Sequence, residues 1–277
     1  MDQKKPSRLP LILAVLALIG LCIVSIIAII LGLVLINRNR EDVKNNSNDT
    51  GTVSSPVVNP PTPEPIPVAT KCRIDNSPTI DSTDAYEINV KRPFVSGCES
   101  QAQNDLNQYI IDSINQDEKT VKFTDPSGSA KNSLDLDYEV VSNSTKFISI
   151  LIKGYIYLGG AHGDSVFIPI NYDLVHNKII KFEDLETDPL FVSKISSYSI
   201  NALKIKLNEP ELDSSIESGA SADSANFQIF NLYKNGIKIT FGDYQVGPYA
   251  LGPQEVLVPW SEVSNYASLE IQDLLGV

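Results

Sequence analysis

The chain holds only two histidines, three cysteines, one methionine and one tryptophan among its 277 residues. His162 and His176 stand apart, and a zinc centre usually takes three or four Cys, His or carboxylate ligands. No phosphate-binding glycine loop, nucleophile elbow or Ser-His-Asp order is present. The sequence therefore calls for no metal, no cofactor and no catalytic activity. Positive charge is also scarce: 22 Lys and Arg face 34 Asp and Glu, a net of −12. Residues 1–40 are net +4, since Lys4, Lys5, Arg8, Arg38 and Arg40 face Asp2 alone, which leaves −16 on residues 41–277. Such a domain repels nucleic acid and attracts a basic protein. The same acidity serves simple solubility.

Charge is missing altogether from Leu9 to Ile36, 28 positions of mostly Leu, Ile, Val, Ala and Gly. As a helix this run reaches about 42 Å, against a hydrocarbon core of about 30 Å. It is too long for a signal-peptide core and ends in Asn37-Arg38-Asn39-Arg40, so an uncleaved signal-anchor is expected. Pro10 fits its first turn, and Cys22 reads as a packing cysteine. Flanking Lys and Arg are nearly balanced and orient the span weakly. Cys72 and Cys98 form an even pair beyond it, which suits a disulfide in an oxidising compartment. The expected order is a cytoplasmic tail (1–8), a transmembrane helix (9–36), a stalk (37–70) and an extracytoplasmic domain (71–277), its halves near 75–155 and 156–265. The stalk is polar first and then dense in proline, with Pro56, Pro60, Pro61, Pro63, Pro65 and Pro67, which makes it an extended spacer.

Within the domain, alternation predicts strands over 85–91 and 134–140. The β-rich run 147–158, the turn Gly159-Gly160 and the strand 165–173 read as a hairpin. Asn235-Gly236 between 227–233 and 237–241 is the strongest hairpin signal, because Asn-Gly suits a type I′ turn. A further strand is expected over 254–259. Helices are expected over 100–115, over 189–207 after Asp188 as N-cap, and over 261–272. Residues 214–225 are small and polar and read as a loop. Strands in hairpins with two or three packed helices argue an α+β fold on an antiparallel sheet.

Two segments stand out as candidate sites. Gly159-Gly160-Ala161-His162-Gly163-Asp164 pairs a histidine with a carboxylate, the elements of a general base or a metal ligand. Its glycines favour a tight turn instead. Residues 244–253 place Tyr244, Pro248, Tyr249 and Gly252 in a rigid loop, either as a recognition surface or as a cap on the core. His176 sits in a short polar turn. Asp135 and Asp137 share one face of a strand and read as its solvated side.

The glycine turn, Asn171-Tyr172-Asp173-Leu174, Lys178, Phe182-Glu183-Asp184-Leu185, and then Asn235-Gly236, Phe241, Tyr244, Gly247-Pro248-Tyr249-Ala250 and Gly252 follow one another in order. Together, across about residues 75–265, they resemble the RsiV-like family of extracytoplasmic domains. Its best-known member is a membrane-bound anti-sigma factor that serves as a lysozyme receptor. The same module precedes the catalytic part of some bacterial peptidoglycan deacetylases. The resemblance implies an α+β domain that binds a protein ligand, lysozyme in the best case, and lysozyme is typically basic. Only residues 1–8 precede the apolar run and no metal-binding catalytic segment follows, so a binding domain without its usual effector is expected. The candidate ligand surface is then Gly159, Gly160, His162, Gly163, Asp164, Tyr244, Pro248, Tyr249 and Gly252. A cell-wall-modifying enzyme using His162 and Asp164, and a structural bridge between membrane and wall, are the alternatives.

Overall fold

A computed structural model describes residues 70–126, 128 and 130–277. The expected membrane helix and nearly all of the stalk lie outside the described residues. Among the described residues no helix is long and apolar enough to cross a membrane.

Eleven strands and five helices make up the described region. The strands are β1 (Arg73–Asn76), β2 (Thr79–Ser82), β3 (Tyr86–Val90), β4 (Pro93–Ser96), β5 (Asn132–Asn143), β6 (Phe147–Tyr157), β7 (Asp164–Asp173), β8 (Lys178–Ile179), β9 (Phe230–Tyr233), β10 (Gly236–Phe241) and β11 (Gln254–Pro259). The helices are α1 (Ser100–Phe123), α2 (Leu190–Leu207), α3 (Asp213–Gly219), α4 (Trp260–Val263) and α5 (Leu269–Leu275). Three sheets result, with orders β2-β3-β5-β6-β7-β8, β11-β10-β9 and β1-β4. The fold is α+β, as the sequence implies, but the large sheet is mixed and not wholly antiparallel. β3 and β5 run parallel, Ile88 opposite Leu134, because the 24-residue α1 lies between them. A long helical connection returns the chain to the same end of the sheet, where a hairpin would reverse it.

α1 begins where Glu99 accepts the Ala102 amide at 2.8 Å, and that bond holds the Glu99 carboxyl below its usual range. The helix continues past the expected end near 115 to Phe123. Leu106, Ile110, Ile114 and Val121 are buried against the sheet, whereas Tyr109 is exposed. The Asn107 side chain pairs with both the Val95 amide and the Val95 carbonyl, each at 2.8 Å, so α1 completes the hydrogen bonding of β4. Cys72 and Cys98 are joined in a disulfide. Residues 214–225, expected as a loop, carry most of α3, whose Ile216 is fully buried. The helix expected over 261–272 is broken into α4, a 3-10 turn and α5. Asp135 and Asp137 do face solvent, against Asn89 and Lys91 at 2.8 and 2.5 Å.

Two apolar cores lie on either side of the large sheet. One packs α1 against Ile88, Val90, Leu134, Leu136, Ile148, Ile150 and Ile152. The other gathers Phe182, Phe191, Phe227, Phe230, Ile239, Phe241, Val258 and Trp260 around the three-stranded sheet and α2. β6 is shared between them, which is why Phe147–Ile152 is buried at every position and does not alternate. A polar junction joins the layers. Asn171 on β7 donates to the Phe230 carbonyl at 2.9 Å, and its oxygen accepts from the Leu232 amide at 3.0 Å and the Ser149 hydroxyl at 2.8 Å. Asn231 donates to Ser149 and to the Ile150 carbonyl at 3.0 and 3.1 Å. All three side-chain residues are at most 1% exposed.

Removing the Asn171 amide strands a buried N–H, hydroxyl and carbonyl together, and an unpaired buried polar group costs about 1–3 kcal/mol. Asn171→Ala is expected to lower stability by about 3 kcal/mol. Urea unfolding at unchanged slope checks this.

Candidate functional site

The β6–β7 turn and the loop after β10 meet at one end of the molecule. Gly159 and Gly160 hold φ of +95° and +92°, a region open to glycine without penalty, and they turn the chain toward His162. Gly163 lies buried beneath this turn. A Cβ there would run into the Ile156 carbonyl and the Tyr155 ring. The Gly163 peptide is the hub of the contact. Its N–H donates to the Tyr155 hydroxyl. Its carbonyl accepts from the Tyr249 hydroxyl at 2.9 Å and lies 3.0 Å from His162 Nδ1. That carbonyl can only accept, so Nδ1 carries the proton and Nε2 is left to accept from the Tyr244 hydroxyl at 3.3 Å.

The rings form a cluster. His162 stacks on Tyr249 at 3.8 Å between centroids, and Tyr244 lies 5.5 Å from Tyr249. The hydrogen-bonded Tyr155 hydroxyl, with some desolvation, pushes the Tyr249 phenol up to about 12, so it stays a neutral donor across the physiological range. Tyr244 is 59% exposed and adopts φ +64°, which costs a non-glycine residue about 1–2 kcal/mol. Such strain persists only where the surroundings enforce it. Here Gln245 enforces it. Its side-chain nitrogen donates to the Gly219 and Asn226 carbonyls at 3.0 and 2.9 Å, and its oxygen accepts from the Gly242 amide at 3.0 Å. Val246 is buried beside it. Asp243 accepts the Ser165 amide at 2.8 Å and ties the loop to the start of β7.

The structure thus brings His162, Gly163, Tyr244 and Tyr249 into direct contact. Asp164 is exposed at the head of β7, and Asp243 stands nearby. Both ring nitrogens of His162 are engaged by the Gly163 carbonyl and the Tyr244 hydroxyl rather than by a carboxylate. Pro248 and Gly252 flank the 3-10 turn Tyr249–Leu251 and shape it. Tyr155 and Gln245 belong to the arrangement and have no motif that marks them. Tyr155 is legible only as an outward position on β6, and Gln245 only after folding.

Two family models match the chain. The one described as deacetylase PdaC covers residues 80–165, and the one described as a protein of unknown function, DUF3298, covers residues 183–261. The chain is 27% identical over 155 residues to the peptidoglycan-N-acetylmuramic acid deacetylase PdaC of Bacillus subtilis, covering 55% of this chain and 33% of that protein. It is 27% identical over 121 residues to the immunogenic protein MPT64 of Mycobacterium tuberculosis, covering 42% of this chain and 50% of that protein. The chain therefore spans a third to a half of the length of these relatives. A DUF3298 family member from Bacteroides fragilis superposes with a TM-score of 0.59 at 17% identity, over 74% of this chain and 97% of that one. A DUF3298 family protein from Pseudomonas aeruginosa gives 0.53 at 14% identity, over 75% and 97%. The described region is therefore similar to the PdaC model in its first part and to the DUF3298 model in its second, and shares the fold of those two structures.

Tyr244→Gly releases the backbone strain and is expected to leave the unfolding midpoint unchanged or higher. Gly163→Ala forces overpacking and should cost about 1–3 kcal/mol. Thermal denaturation of both variants distinguishes a loop held under strain from a relaxed one.

Proposed function

We propose that this chain is a membrane-anchored extracytoplasmic binding domain without catalytic activity. Its recognition surface is the aromatic cluster of His162, Tyr244 and Tyr249 between the two loops, and its ligand is a cationic wall-active protein such as lysozyme. The convergence of the two loops on the Gly163 peptide carries this reading. Tyrosine held on a rigid loop offers a large contact area at little entropic cost, and such residues dominate binding energy at interfaces. The net −16 of residues 41–277 favours encounter with a basic partner, and Asp164 and Asp243 supply acid beside the rings. The Cys72–Cys98 disulfide suits an oxidising compartment. The apolar run 9–36 and the proline-rich stretch supply an anchor and a spacer for display. Both ring nitrogens of His162 are engaged by the Gly163 carbonyl and the Tyr244 hydroxyl, an arrangement that fixes the ring as part of the surface.

Isothermal titration of the full-length chain with lysozyme tests the proposal. Binding is expected at low salt, weakening as salt rises, with Tyr249→Ala losing at least tenfold in affinity. Absence of heat at low salt removes lysozyme as the ligand. Retained affinity in Tyr249→Ala removes the surface.

A further inference from the structure

A second cluster forms at the far end of β7, about 30 Å from the aromatic loops at roughly 3.3 Å per residue. We propose that Asp173, His176 and Glu270 form a binding site for a divalent transition-metal ion of the zinc type. Asp173 ends β7 with its side chain fully buried. One of its oxygens accepts the Val175 and His176 amides at 2.8 and 3.0 Å. The turn backbone therefore fixes the carboxylate and leaves its second oxygen 2.6 Å from His176 Nδ1. Glu270, in the first turn of α5, brings Oε1 to 3.4 Å from the same nitrogen. The three ligand atoms lie within 4.8 Å of one another.

Two carboxylate oxygens and one imidazole nitrogen converge on one point, and a single metal ion can take all three as ligands. Zinc binds nitrogen and oxygen at about 2.0–2.2 Å, which in a tetrahedron sets neighbouring ligand atoms about 3.4 Å apart. The Nδ1–Oε1 spacing already has that value, and the Nδ1–Oδ2 pair need open by less than 1 Å. One imidazole with two carboxylates is a donor set for zinc rather than for calcium or magnesium, which favour all-oxygen shells. The two amides on Asp173 act as the outer hydrogen bonds that orient a metal ligand. Lys178 sits 3.2 Å from Glu270 Oε1 and neutralises it when no ion is bound. It is half-exposed and free to turn into solvent. A bound ion would clamp α5 onto the β7–β8 turn and raise stability by mass action.

The test uses the full-length chain, stripped with a chelator and titrated with zinc chloride at pH 7.5 against a coloured zinc indicator. One ion per chain is expected. His176→Gln, whose amide keeps a hydrogen bond to Asp173, and Glu270→Gln should each weaken binding at least tenfold. Lys178→Gln removes the competing ammonium and should tighten it several-fold. His162→Ala, at the only other histidine, should leave it unchanged. No uptake by the unsubstituted chain, uptake unaltered in His176→Gln, or uptake abolished in His162→Ala overturns the assignment.

Discussion

Asn171 sits where the two sheets meet, and its amide has three partners on two different strands. A sheet face covered only by apolar side chains would leave the register of β9 over β6 and β7 loosely set, because apolar contact has no direction. The Asn171–Ser149–Asn231 junction sets that register through hydrogen bonds shielded from water. Everything downstream inherits it. β10 pairs with β9, the loop after β10 emerges from that pairing, and Tyr244 and Tyr249 thereby reach the turn that β6 and β7 carry.

The aromatic cluster is thus a product of two chain segments about eighty residues apart, neither of which forms a site alone. The β6–β7 turn supplies the Gly163 carbonyl, and the later loop supplies the Tyr249 hydroxyl that donates to it. The Gly163 N–H is taken up within the hairpin itself by Tyr155 on β6. Gln245 and Asp243 hold that loop from beneath, so the exposed Tyr244 and the half-buried Tyr249 owe their position to these two side chains.

Much of this arrangement is legible in the sequence. Asn235-Gly236 fixes one hairpin, Gly159-Gly160 another, and Asp188-Pro189 marks the start of α2. Residues 147–152 are legible as strand, but their burial on both faces is visible only once two cores are known. The parallel pairing of β3 and β5 escapes sequence reading, since periodicity reports which faces are apolar and not which strands are neighbours. α3 is hidden because its residues are small and polar apart from Ile216. His162 and the tyrosines stand out by residue type, whereas Gln245 and Tyr155 acquire a role only through contacts distant in sequence. Asp173, His176 and Glu270 look ordinary for the same reason, as α5 brings Glu270 back across more than ninety positions.

The polar junction is expected to make one cooperative body of two cores, and unfolding in urea, followed by two probes on one sample, decides it. Trp260, the single tryptophan, reports the core around the three-stranded sheet by fluorescence, and amide exchange along α1 reports the other. Coincident transitions with one midpoint are expected. Two separated midpoints, with α1 still protected after Trp260 is exposed or the reverse, would contradict it.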